Sequence, residues 1–160
     1  GRYSKLVFYL ETCESGSMFV NLPKNTNIYA LSAAGTSESS WATYCSPDDV
    51  IQNKHLGTCL GDLFSVSFIE DIDSADISTE TLDTQFVKVK KLTNLSVVMQ
   101  WGDVSYTQDV VSAFIGAGQS LRRTSKTTSN TESNRSLRNQ RPYHIKINYL
   151  TNKYQAARTE

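Results

Sequence analysis

Leu6-Val7-Phe8-Tyr9-Leu10, followed by Glu11-Thr12-Cys13-Glu14-Ser15-Gly16-Ser17, decides the fold class of this 160-residue chain. A continuous apolar run with β-branched and aromatic members is the pattern of a buried central strand. The polar, small-residue stretch after it then lies at the carboxyl end of that strand, where open α/β sheets place ligands and reactive groups. Working outward, residues 27–33 (Asn-Ile-Tyr-Ala-Leu-Ser-Ala) read as a second strand, ended by Gly35 and small polar residues through Ser40. Leu60, Leu63, Phe64, Phe68 and Ile72 recur at helical spacing across residues 59–73, an amphipathic helix that covers a sheet. A second helix is expected over residues 78–92, with Ser78 or Thr79 as cap, Glu80 at the positive end of its dipole and Leu82, Phe86 and Val89 on one face. Residues 97–101 read as a further strand, closed by Gly102-Asp103. Strand and helix alternate, so the fold class is α/β, a mostly parallel sheet flanked by helices.

Beyond this body the composition changes. Residues 119–141 are rich in Ser, Thr, Asn and Arg with almost no apolar side chains, too few to repay the entropy of ordering, and they read as a flexible basic linker. After Pro142 the spacing of Ile145, Tyr149/Leu150 and Tyr154 predicts a short amphipathic helix. The formal net charge is zero, but residues 1–118 carry 7 basic and 14 acidic side chains while residues 119–160 carry 9 and 2. A body near −7 can hold a tail near +7, so nucleic acid is a poor explanation for the basic tail. No stretch is long and apolar enough to span a membrane, and no secretory leader opens the chain. With a strand starting so close to Gly1 and no initiator Met, the chain is expected to be truncated at its N-terminus.

Three cysteines suggest one pair and one free thiol if the compartment is oxidising. Cys45 and Cys59 bracket a polar 13-residue loop, and closing a loop of that size stabilises a fold by roughly 3 kcal/mol; the alternative is two reduced thiols. The sequons at Asn94 and Asn134 fit the same secretory compartment as possible glycosylation sites. Cys13 is the reactive candidate. A thiol is a useful nucleophile only as a thiolate or beside a base, and Ser15, Gly16 and Ser17 let a substrate backbone approach it. The competing reading is a plain buried cysteine, since free cysteine is among the most buried residue types.

The segment Phe8-Tyr9-Leu10-Glu11-Thr12-Cys13-Glu14-Ser15-Gly16-Ser17-Met18-Phe19 resembles the nucleophile segment of the legumains, the asparaginyl endopeptidases also called vacuolar processing enzymes, which are caspase-like. The likeness continues through Tyr29-Ala30-Leu31-Ser32-Ala33-Ala34, Glu38-Ser39-Ser40-Trp41, Gly57-Thr58-Cys59-Leu60-Gly61-Asp62 and Glu70-Asp71, and covers residues 3–118. It implies that residues 1–118 are the C-terminal part of a caspase-like cysteine peptidase domain. It also implies that residues 142–160 begin a helical inhibitory prosegment, although Pro142-Tyr143-His144 departs from the acidic residues usual there. By position it makes Cys13 the acyl-enzyme nucleophile, whose own N–H helps form the oxyanion hole. Glu11, Ser39, Ser40 and Asp62 match the lining of the family's specificity pocket. There carboxylates can take the N–H groups of an asparagine amide. Glu11 and Asp62 have a plainer alternative as sheet-end or helix-start carboxylates. Some plant-like members also resemble this chain in having cysteines at 45 and 59.

The resemblance further implies a zymogen of the vacuole or lysosome, reached by the secretory pathway, that cleaves protein substrates after asparagine and is held by its own C-terminal prosegment. Neither a cofactor nor a metal is expected. Asn139 matches the prosegment boundary as a self-cleavage site, with Asn130 and Asn134 as further candidates. The family's general base is a histidine followed by glycine on an earlier strand. Only twelve residues precede Cys13, and neither His55 nor His144 is followed by Gly, so the chain alone is expected to be inactive. Three alternatives stay open: a peptide ligase in which an amine intercepts the acyl-enzyme, a non-catalytic homologue or fragment that binds a partner, and a lipid-anchor transamidase, a family that usually carries a membrane segment.

Overall fold

Side chains along β1 (Leu6–Leu10) point alternately to two sheet faces, and those two faces organise everything around them. The computed structural model describes residues 2–116, 140–141 and 144–158. After β1 come β2 (Ile28–Ser32), β3 (Ala42–Thr43), β4 (Val50–Ile51), β5 (Lys54–His55), β6 (Gly61–Asp62), α1 (Leu63–Ser74), α2 (Leu82–Leu92), β7 (Met99–Gly102), α3 (Ser112–Ile115) and α4 (Ile145–Ala157). The main sheet has the order β1-β2-β7, with β2 parallel to β1 and antiparallel to β7. Two small antiparallel pairs, β3 with β6 and β4 with β5, stand beside it.

One face of the sheet packs on α1 and α2. Tyr29, Leu31 and Ala33 from β2 and its end join Phe64, Leu82, Val89, Val98, Tyr106 and Val111 in the buried core, and Tyr9 stacks at 4.2 Å on Phe68 of α1. Burying side chains of this size stabilises by roughly 1.5–3 kcal/mol each. The other face carries Phe8 and Trp101, which sandwich Phe19 at 5.9 and 6.3 Å between ring centres. A 3-10 helix, Ser15–Phe19, therefore covers this second face just beyond the Cys13 segment.

Several expectations shift in detail. The fold class is as read, but β1 is not central: among the described residues it pairs only with β2, and Phe8 is 44% exposed. β2 is the strand buried from Tyr29 to Ser32. A continuous apolar run looks the same whether or not a second neighbour takes its free edge. The first helix starts at Leu63 rather than near Cys59, because Gly61 and Asp62 are spent pairing with β3. The second starts at Leu82, capped by the Thr81 hydroxyl, which accepts from the Thr84 N–H at 3.2 Å. Ser78 and Thr79 instead close a turn on Asp76. The first N–H groups of α2 are taken by the loop before α3, with Leu82 donating to the Asp109 carbonyl and Asp83 to that of Thr107. The linker expected over residues 119–141 lies outside the described residues except for Gln140 and Arg141, and the helix expected after Pro142 is α4. Among the described residues no helix is long and apolar enough to cross a membrane.

Candidate active site

The carboxyl end of β1 delivers Glu11, Thr12 and Cys13 over the open end of the sheet, with Ala33 N–H bonded to the Leu10 carbonyl at 3.0 Å. Glu14 then turns sharply, with φ 56°, and the chain enters the 3-10 helix. That turn is pinned to the exit of β2. The buried Ser15 hydroxyl accepts from Ala34 N–H at 2.9 Å and donates to its carbonyl, Gly16 N–H donates to the Ala34 carbonyl at 3.1 Å, and Glu14 N–H donates to the Glu38 carbonyl at 2.7 Å. A Cβ on Gly16 would lie 3.0 Å from the Gly35 backbone and from the Trp101 ring, so a larger residue would have to push these neighbours back by a few tenths of an ångström. The Glu38 carboxylate braces the opposite side, accepting from Gly35 N–H at 2.6 Å and Val97 N–H at 2.8 Å.

Cys13 is the free cysteine among the described residues and is half-buried. Its Sγ lies 3.7 Å from the Ser40 Oγ, and Ser40 itself is buried. Ser39 sits half-buried beside it. Trp41 follows, its carbonyl accepting from Leu63 N–H at 2.7 Å, and Ala42 then pairs with Asp62. One short stretch, 39–42, thus joins the thiol to the start of α1.

Glu11 reaches the same helix start from β1. Its Oε2 accepts from Ser65 N–H at 2.7 Å, while the Asp62 side chain makes no capping bond of its own. Glu11 therefore caps α1 from a different strand. Its Oε1 is buried with no hydrogen-bond partner, an arrangement that costs roughly 1–3 kcal/mol for an unmet polar group. Burial, with the nearby Asp62 charge adding to it and the Ser65 and Phe64 N–H groups opposing it, pushes the Glu11 carboxyl up to about 7. Burial also raises Asp62. Both raised carboxyl groups stand at the start of α1, Glu11 arriving from the end of β1 and Asp62 from β6.

A folded-state value raised from 4.5 to about 7 means that the fold binds this proton more tightly than the unfolded chain does. The associated stability is complete below pH 4.5 and is lost as pH rises through about 7, by up to about 3 kcal/mol. Glu11→Gln should flatten this part of the pH dependence, measured as the difference in thermal midpoint between pH 4 and pH 7.5. An unchanged difference would show that Glu11 ionises normally.

The Cys45–Cys59 disulfide is formed. Inside its loop, the fully buried Asp49 accepts from His55 Nδ1–H and from Gly57 N–H, each at 2.7 Å, and these donors hold its carboxyl below the ordinary range despite burial. His55 is thereby committed to the hairpin of β4 and β5. His144 lies exposed at the start of α4. Among the described residues the hydrogen-bond partner of the thiol is Ser40. Asn94 is exposed in the turn after α2. Asn130, Asn134 and Asn139 lie outside the described residues.

Sequence reasoning gave no role to Glu38 as a brace or to the seating of Gln140. Gln140 exchanges both backbone hydrogen bonds with Ala42, at 2.9 and 3.0 Å, and Arg141 lies over the Trp41 ring at 5.3 Å. Tyr149 of α4 sits in the notch left by Gly57. Gln140 thus bridges to β3 at Ala42, and Arg141 lies beside it over Trp41.

A sequence model of the peptidase C13 family matches residues 1–117. The chain is 45% identical over 121 residues to the vacuolar-processing enzyme delta-isozyme of Arabidopsis thaliana, covering 72% of this chain and 26% of that protein. It is 46% identical over 114 residues to legumain of Mus musculus, covering 71% and 25%, and 46% identical over 117 residues to the hemoglobinase of Schistosoma japonicum, covering 72% and 26%. The match therefore spans about a quarter of the length of these relatives.

Proposed function

The chain belongs to the peptidase C13 family, and on that premise we propose that it is part of a cysteine endopeptidase that cleaves after asparagine through an acyl-enzyme on Cys13. The observation that carries the substrate class is the Glu11 Oε1, a buried acceptor without a donor at the end of the nucleophile strand. An asparagine side-chain amide, with N–H donors and a carbonyl acceptor, answers that oxygen whether it is ionised or carries the proton, and a pocket that leaves a polar group unpaired rejects residues without the amide.

In the proposed mechanism the Cys13 thiolate attacks the scissile carbonyl, and the Cys13 N–H donates to the resulting oxyanion. The leaving amine takes up a proton, the thioester remains, and water releases the acid. The proposed base is a histidine followed by glycine, which neither His55, held by Asp49 in the β4–β5 hairpin, nor His144 is, and on this reading residues 1–160 are not active by themselves. We assign the seating of Gln140 and Arg141 along β3 to an inhibitory prosegment, with Asn139 as the self-cleavage site, which makes the protein a zymogen. The Cys45–Cys59 bridge and the exposed Asn94 sequon support passage through the secretory pathway to a vacuole or lysosome.

The test uses the longest reading frame containing these residues, matured at acid pH, and peptides identical except for the residue before the scissile bond. Asparagine should be preferred over alanine in kcat/KM by on the order of 10⁴-fold, and over glutamine, one methylene longer, by about 10–200-fold. Equal cleavage after alanine would sink the pocket assignment. No cleavage at all would favour a homologue that only binds a partner, and product masses with an added amine would reveal ligation.

A further inference from the structure

Away from the thiol, α1 and α2 enclose a charged cluster that the proposed chemistry does not use. Asp71 of α1 is 5% exposed and Glu80, just before α2, is 7% exposed. A single ammonium faces both: Lys88 of α2 pairs with Glu80 Oε1 and lies 3.6 Å from Asp71 Oδ1. Two ionised carboxylates would leave this place with an uncompensated negative charge, which a nine-tenths buried site does not tolerate cheaply. The remaining oxygens, Asp71 Oδ2 and Glu80 Oε2, are both buried without a partner, and so is the Nε2 of Gln85. One proton placed between the two carboxyl groups turns one orphan into a donor and the other into its acceptor, and makes the cluster neutral.

We propose that Asp71 and Glu80 share this single proton, and that losing it as pH rises loosens the clamp of α1 and α2 on the strand that carries Cys13. The mechanical link is short. Gln85, fully buried on α2 beside Asp71, accepts at its Oε1 from the Tyr9 hydroxyl at 2.6 Å, and Tyr9 also stacks on Phe68 of α1. Tyr9 is four residues before Cys13 in the same segment. The groups facing the pair are Lys88 and Gln85 from α2 and Tyr9 from β1. Burial first, and then the Glu80 charge, raise the Asp71 carboxyl against the pull of Lys88, which is the direction the shared proton requires. Proton release goes to solvent and leaves a carboxylate pair held by one lysine.

The experiment is carbon-13 NMR of the aspartate and glutamate carboxyl groups in the full-length protein across pH, with thermal unfolding of wild type, Asp71→Asn, Glu80→Gln and Glu11→Gln. The carboxyl carbon of Asp71 should keep its protonated shift well above pH 4–4.5, where ordinary carboxylates have ionised. Asp71→Asn supplies an amide donor in place of the proton. It should raise the midpoint at neutral pH by roughly 5 °C and remove a step in pH dependence that Glu11→Gln leaves standing. An Asp71 carboxyl that titrates in the ordinary range would overturn the proposal, and so would an Asp71→Asn variant with the wild-type pH slope. The NMR titration decides even if neither variant folds.

Discussion

Cys13→Ala is expected to lower peptide turnover by at least about 10⁴-fold while leaving the fold intact. The size follows from removing the atom proposed to form the acyl-enzyme, since knocking out a nucleophile leaves only the catalysis supplied by binding and oxyanion donors. The intact fold follows from how little the thiol holds up. Cys13 is half-buried, and its Sγ makes one long contact, 3.7 Å to Ser40. The turn around it is held instead by Ser15, Gly16 and Glu14 through their bonds to Ala34 and Glu38. A thermal midpoint within a few degrees of wild type, together with lost turnover in the full-length protein, is the expected pair of results. Cys13→Ser should behave alike, because a hydroxyl in this position lacks the low-energy anion a thiol provides. Turnover that survives either change would place the nucleophile elsewhere.

Gly102→Ala should cost at least about 3 kcal/mol of stability, a fall in thermal midpoint of roughly 10 °C. Gly102 has φ 74°, and a Cβ there would stand 2.2 Å from the Ile28 carbonyl oxygen and 2.8 Å from the Leu22 side chain. The end of the Leu22 side chain can turn aside, but the carbonyl cannot. Ile28 begins β2, and its carbonyl already accepts from Asp103 N–H at 2.7 Å, while Gly102 itself pairs with the buried Tyr29 at the end of β7. The left-handed conformation alone costs a non-glycine residue about 1–2 kcal/mol. Gly116→Ala reports backbone strain without a clash, since Gly116 has φ 86° and ψ 147°, a conformation that favours glycine, and nothing within 4 Å of its Cβ position. Circular dichroism melts of both variants should show the larger loss at 102, where the clash with Ile28 adds to the backbone strain. Equal losses would mean that the β2–β7 end relaxes around the methyl group.

Which elements exist was legible in the sequence because side-chain alternation and helical spacing are local. Where they sit was less so. The apolar run Leu6–Leu10 carries no mark of whether its second edge is paired, and in the described sheet it is not. The start of α2 moved to Leu82 because distant carbonyls at Thr107 and Asp109, rather than Ser78 or Thr79, receive its first N–H groups. For Glu11 the residues allowed two roles, helix-start carboxylate or pocket wall. The structure gives one oxygen to the Ser65 N–H of α1 and leaves the other buried and unmet, so the first role is seen and the second is proposed from the atom left over.

The α/β class, the family, the candidate thiol at a strand end and the spacing that suits a Cys45–Cys59 bridge are all readable from residue type and from neighbours close in the chain. Which charges are desolvated, and by what they are answered, is set by the folded arrangement. Glu11 meets Ser65 across 54 positions, and Tyr9 meets Gln85 across 76. The environment of Asp71 is likewise built from a helix, a loop and a strand. The free energy of a buried charge is set by the dielectric and the donors around it, and those arrive from elements that adjacent residues do not specify.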